Sequence, residues 1–240
     1  MKDLVGLGRT EGQLATRGRW LHLGKRLGGE RLLFWAGRVL YRLRIEGVAH
    51  IPAEGPCLLP FNHVSQPADL LVNALIRRRR PDTCVFGWQG LRGENPLTHF
   101  LTALGEPDPG DRLLRAYKLR ALSAGELLRA YRLVCDGAAL AIAAEGEITW
   151  DGRLQHPLAP GTAWLALRSG TPVVPVVSSG GYDLQPRWQM DRIRLNGRLT
   201  IRVGQPFTLC DAPLTRPSDE ALQAAGERLW QAMAALLGAP

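Results

Sequence analysis

His63 and Asp69 stand in the segment Asn62-His63-Val64-Ser65-Gln66-Pro67-Ala68-Asp69, directly after the apolar run Cys57-Leu58-Leu59-Pro60-Phe61. A neutral imidazole at the mouth of a buried strand can take a proton from a reacting hydroxyl. A carboxylate beside it can fix the ring's tautomer and stabilise the imidazolium that forms. A surface histidine next to a helix-capping aspartate has the same spelling, so the pair needs support from the rest of the chain.

Three further groups could serve such a base. Glu145-Gly146-Glu147 follows the apolar stretch 139–144. There Glu145 can hold a turn by accepting backbone N–H bonds, and Gly146 lets the backbone approach a ligand closely. Gly105-Glu106-Pro107-Asp108-Pro109-Gly110-Asp111-Arg112 ends on a guanidinium, whose planar and permanently charged fork suits phosphate. Arg115 is the substitute for Arg112, and Arg153, after Asp151-Gly152, is a further candidate.

In order and spacing, these blocks resemble the phospholipid and glycerol acyltransferase family. Gly161-Thr162-Ala163-Trp164-Leu165-Ala166, Gly170-Thr171-Pro172-Val173-Val174-Pro175-Val176 and the lead-in Arg44-Ile45-Glu46-Gly47-Val48-Ala49-His50-Ile51-Pro52 add to the likeness, which runs from about residue 40 to about residue 205. The resemblance implies an O-acyltransferase that moves a fatty acyl group from acyl-CoA or acyl-carrier protein to a lysophospholipid or glycerol-phosphate-type hydroxyl, without a bound cofactor or metal. It makes His63 the general base and Asp69 its partner, with Asn62, Ser65, Arg112, Arg115, Glu145, Gly146 and Arg153 as substrate-binding candidates. Two departures stand out. The family's usual spacing leaves four residues between His and Asp, and here there are five, Val64 to Ala68. One extra helical residue would swing Asp69 by about 100° unless a loop before Pro67 absorbs it. The family's usual Phe-Pro-Glu-Gly-Thr is Ala143-Ala144-Glu145-Gly146-Glu147 here, which puts a second acidic group beside the expected phosphate. Together these departures support the alternative of a catalytically weak or inactive lipid-binding scaffold of the same fold.

Composition is compatible with that reading. The 240 residues are 45% hydrophobic and 22% charged, enough to bury a full core. Thirty Lys and Arg against 22 Asp and Glu give +8, so membrane lipids, phosphate-bearing substrates or nucleic acid could all be partners. No aromatic-basic RNA-binding signature is present, and nucleic acid is not expected. No GxSxG, Walker loop, HExxH or GxGxxG occurs, which argues against serine hydrolases, NTPases, zinc proteases and dinucleotide enzymes. The four cysteines, at 57, 84, 135 and 210, are far apart and read as buried free thiols in a reducing compartment.

The elements that must position the pair follow from periodicity. Runs at 43–46, 57–61, 83–87, 139–144, 173–177 and 199–203 read as strands, and 67–76, 95–104, 112–134 (with a break near Ser123) and 160–168 as helices. Ser218 caps a last helix to 237, with Leu222, Ala225, Leu229, Met233 and Leu236 as its apolar stripe. This alternation predicts an α/β fold with a mainly parallel central sheet flanked by helices. Its division is expected as a basic N-terminal segment at 1–42 and an acyltransferase-like domain at 43–240. The stretch 30–44 reads as an amphipathic helix, with Arg31, Arg38 and Arg42 on one stripe and Trp35 at its border. It fits both core packing and peripheral contact with the cytoplasmic face of a membrane. No run is long enough to span a bilayer. Arg77 to Arg80 reads as a solvated or lipid-facing patch.

Overall fold

The structure is a computed structural model, and it describes residues 29–86, 124–190 and 192–238. The expected helix at 95–104, the block from Gly105 to Arg112, and Arg115 lie outside the described residues.

Among the described residues six strands form one sheet: β1 Arg44–Glu46, β2 Cys57–Phe61, β3 Cys84–Phe86, β4 Ala139–Ala143, β5 Val176–Ser179 and β6 Thr200–Val203. Their order is β1-β6-β5-β2-β4-β3, with every pairing parallel except β5 with β6. Among the described residues five helices accompany them: α1 Gly29–Tyr41, α2 Gln66–Arg79, α3 Ala124–Cys135, α4 Pro160–Ser169 and α5 Asp219–Gly238. The mainly parallel α/β sheet is thus as the alternation predicts.

β2 is the central strand, buried at every position. Its side chains alternate between two cores, as a pleated strand requires. Cys57, Leu59 and Phe61 pack with α1 and α2, while Leu58 joins the core under α3, α4 and α5. The expected strand at 173–177 is displaced. Val173 makes only isolated bridges to Leu58 and Phe207, and the regular strand begins at Val176. Pro172 and Pro175 carry no N–H to give a ladder, which explains the delay.

α1 ends at Tyr41 because Arg42 adopts a positive φ of 43°. Its apolar side belongs to the core: Phe34 and Tyr41 are buried with Leu71 and Leu75 of α2. The other side leaves Trp35, Arg38, Val39 and Arg42 exposed. Two sequence readings are corrected. Arg80 is no part of a surface patch: it is 1% exposed and donates to the carbonyls of Pro52 and Gly55 and to Asp82. Its four-residue run concealed this, because only Arg78 and Arg79 face solvent fully. Cys135 is exposed and Cys210 half-buried, so only Cys57 and Cys84 are buried free thiols.

Candidate active site

Three strand ends converge on His63. β2 delivers Asn62 and His63 at its carboxyl end, the edge where open α/β sheets place their sites. β5 supplies Ser178 and β4 runs into Glu145. Asn62 is 1% exposed and ties two strands together: its Oδ1 accepts from the Ser178 N–H at 2.7 Å, and its Nδ2 donates to the Ser178 carbonyl at 2.9 Å. Phe61 is bound on the other side, its carbonyl accepting from Ala144 N–H at 2.9 Å. The backbone under the imidazole is therefore held from both neighbouring strands.

Glu145 fixes His63 directly. One carboxylate oxygen accepts the His63 backbone N–H at 2.5 Å and the other accepts the Gln155 N–H at 2.8 Å. The His63 carbonyl in turn accepts from Thr149 N–H at 2.9 Å. Glu145 thus does the turn-holding work expected of it, in contact with the histidine's own backbone. Gly146 has φ +77°, a conformation that favours glycine, and a Cβ there would sit a tight 3.2 Å from that of Ala159.

The extra residue before Asp69 is absorbed by extended chain. Ser65 has φ −167° and ψ 157°, and its hydroxyl accepts from Ala68 N–H as the N-cap of α2. Pro67 then lies in the first turn, where its missing N–H costs nothing. From that turn Asp69 points back, and its Oδ2 lies 2.6 Å from His63 Nδ1. The Asp69 side chain is 5% exposed and that of His63 25%, so the carboxylate is shut away while the ring keeps an open side.

Electrostatics favour a basic ring. Burial opposes a charge on the imidazole, but the Asp69 carboxylate, through charge and hydrogen bonding, and then the charge of Glu145 outweigh it, and the His63 pKa is raised; the Arg187 cation opposes that rise. Burial pushes the Asp69 carboxyl up, against the pull of His63. With Nδ1 facing Asp69, the proton of the neutral ring belongs on Nδ1. Nε2 is then the free acceptor.

The other candidates divide. Asn62 and Ser65 are buried, with the Asn62 amide bonded to Ser178 of β5 and the Ser65 hydroxyl accepting at the α2 cap, which gives both positioning work. The Arg153 side chain is 89% exposed and 4.0 Å from Asp151. Sequence reasoning missed Ser178, Thr149, Trp150 and Arg187. Arg187 follows β5, and its Nη1 donates to the Ile148 carbonyl at 2.6 Å and to Glu147 at 2.9 Å. Nothing in its local sequence announces this.

A family model for acyltransferases matches residues 42–179, more than half of the chain, a span that contains His63, Asp69 and Glu145. The chain belongs to the acyltransferase family. Among solved structures, the 1-acyl-sn-glycerophosphate (LPA) acyltransferase PlsC from Thermotoga maritima is similar in fold to this acyltransferase. The TM-score is 0.55 at 18% identity, over 98% of this chain and 86% of that one. No curated protein matches the chain.

The paired hydrogen bonds between the Asn62 amide and the Ser178 backbone carry a stability prediction. Asn62→Ala strands a buried N–H and a buried carbonyl, and each unsatisfied group costs about 1–3 kcal/mol. Urea denaturation should show a loss of at least about 2 kcal/mol with an unchanged m-value. A loss below about 0.5 kcal/mol would mean that β5 is held there by something else.

Proposed function

We propose that this acyltransferase moves a fatty acyl group from a thioester, acyl-CoA or acyl-carrier protein, to the hydroxyl of a lysophospholipid or glycerol-phosphate-type acceptor. The carrying observation is His63 Nδ1 at 2.6 Å from a buried Asp69, with the ring open on one side. His63 Nε2 takes the acceptor's proton as its oxygen attacks the thioester carbon. The C–O bond forms, the C–S bond breaks, and the proton passes from His63 to the departing sulfur. No step needs a protein nucleophile, a metal or a bound cofactor. The acceptor class is supported by the resemblance of the motifs and by the activity printed for the Thermotoga maritima protein. The scaffold reading leaned on the five-residue spacing and on Glu147, and the closed His63–Asp69 contact weighs against the first of these.

The deciding experiment incubates purified protein with acyl-CoA or acyl-carrier protein and a panel of lysophospholipids, and identifies products by mass spectrometry. Diacyl products that depend on His63 are expected. Their absence with every donor and acceptor would leave the scaffold reading in possession.

We also propose peripheral association with the cytoplasmic face of a membrane. Among the described residues no helix is long and apolar enough to cross one. Trp35 and Val39 are exposed on α1 beside the exposed Arg38 and Arg42, a mixture suited to a headgroup region. Deleting α1 would remove Phe34 and Tyr41 from the core, so the usable probe is the pair Trp35→Ser and Val39→Ser. Sedimentation with anionic vesicles should fall at least about fivefold, the scale of losing two interfacial apolar side chains. The melting temperature should hold. Undiminished binding would move the contact elsewhere.

A further inference from the structure

Glu147 poses a problem for a phosphate-bearing acceptor, because it sets a carboxylate on the turn whose next residues support His63. The structure supplies a counterweight. Arg187, in the short 3-10 turn Arg187–Gln189 between β5 and β6, brings its guanidinium onto this turn from a segment 40 residues further on. Nη1 is held by the Ile148 carbonyl and by Glu147, and the guanidinium carbon lies 3.8 Å from the centroid of the Trp150 ring.

The two segments are interlocked. The Tyr182 hydroxyl donates to the Trp150 carbonyl. A Cβ on Gly152 would come within 2.8 Å of the Tyr182 ring, and φ there is +81°, so only glycine allows the approach. Thr149, between Ile148 and Trp150, is the residue whose N–H binds the His63 carbonyl. Arg187 is thus built into the frame that carries the base, and its charge reaches the imidazole.

Among the described residues only Nη1 has acceptors; the donors on Nη2 and Nε have none. A guanidinium clamped on one edge and stacked on one face has already lost the side-chain freedom that binding would otherwise remove. Its free edge presents parallel N–H groups, the arrangement that takes two oxygens of a phosphate. Glu147 is a weak competitor, since its side chain is 52% exposed and exposed ion pairs contribute little.

We infer that Arg187, stacked on Trp150 and held through Nη1 on the turn that supports His63, is the cation whose free Nη2 and Nε edge binds the phosphate of the acyl acceptor, with Glu147 as the neighbouring anion that weakens this binding. The inference deepens the glycerolipid reading and rests on it for the identity of the acceptor.

Phosphate is also carried by the donor, as part of coenzyme A, and the test separates the two sources. Arg187→Ala and Arg187→Gln are compared with the parent protein for KM toward a 1-acylglycerol 3-phosphate, toward the matching 1-acylglycerol without phosphate, and toward acyl-CoA. The glutamine keeps an amide donor for the Ile148 carbonyl if the alanine variant loosens the turn. Each loss should raise KM for the phosphate-bearing acceptor about tenfold or more, the scale of a charge-assisted contact, and leave the other two within about twofold. Glu147→Gln should lower the same KM. Binding of sn-glycerol 3-phosphate, followed by NMR, should weaken in both Arg187 variants whether or not any acceptor turns over. That arm keeps a failure of the site distinct from a failure of the acyl-transfer reading. Equal KM changes for the acceptors with and without phosphate, a rise confined to acyl-CoA, or unchanged sn-glycerol 3-phosphate binding would each overturn the assignment.

Discussion

Replacing His63 with alanine should lower kcat/KM for acyl transfer by at least about 10²-fold, the usual scale for the loss of a general base. Nothing else described at the site can take its place. Glu145 has both carboxylate oxygens committed to backbone N–H groups, and Asp69 is almost fully buried behind the ring. The substitution also leaves the Asp69 carboxylate without its cation, and burial already raises that carboxyl's pKa. In the variant the carboxyl should therefore hold its proton to higher pH than in the unfolded chain. Its folded pKa then lies above the unfolded value of about 3.9. The sign follows: stability is fully present below that value and falls as pH rises through the folded one. Denaturation at several pH values should show the variant closest to the parent in acid. Activity is read at a pH where the variant is demonstrably folded. Near-normal turnover by folded His63→Ala would remove the base from the mechanism.

The parts of this site that were legible in the sequence are those made by short-range rules. A buried run at 57–61 and a helix beginning at Pro67 specify strand, loop and helix, and all three are found, with Ser65, read from the sequence as a substrate contact, as the cap. The turn-holding role of Glu145 was readable for the same reason: a buried strand must end in a turn, and a carboxylate is the natural acceptor for the N–H groups exposed there. The five-residue spacing could not be judged from the sequence. Whether the extra residue turns α2 by about 100° or disappears into extended chain depends on where α2 begins, and it begins after Ser65, whose ψ of 157° keeps the extra residue in extended chain.

The rest was illegible because it depends on long-range docking. Arg80 looks like its neighbours Arg78 and Arg79, yet it is the non-helical cap just past the end of α2, where the carbonyls of Pro52 and Gly55 make it a buried structural cation. Arg187 lies in a segment without helical or strand periodicity. Its importance comes from the antiparallel β5–β6 connection, which folds back over the turn after β4. A single sequence contains no spacing from which that contact could be read.

Asp69→Asn should keep the fold and slow turnover by about 10²–10⁴-fold, the range expected when a base loses the anion that orients it. The amide is nearly isosteric, so α2 and its Ser65 cap stay in place. What changes is the partner of Nδ1, now 2.6 Å from a carboxylate oxygen. An asparagine that turns its NH₂ toward the ring stabilises the tautomer with the proton on Nε2, and that nitrogen can no longer accept the hydroxyl's proton. In either amide orientation the imidazolium formed during attack loses its counter-charge. The pH profile separates this from simple loosening of the site. In the parent enzyme Asp69 is the largest influence raising the His63 pKa, so the acid limb of kcat/KM should lie above the ordinary histidine value of about 6.5. Activity is lost as pH falls through that limb, because the base becomes protonated before substrate binds. Without the carboxylate, burial dominates and the limb should move to lower pH while the plateau drops. A plateau that falls with the acid limb unmoved would show that Asp69 only props up the helix; a limb that moves while the plateau stays within about threefold would leave His63 a base that needs no orienting anion.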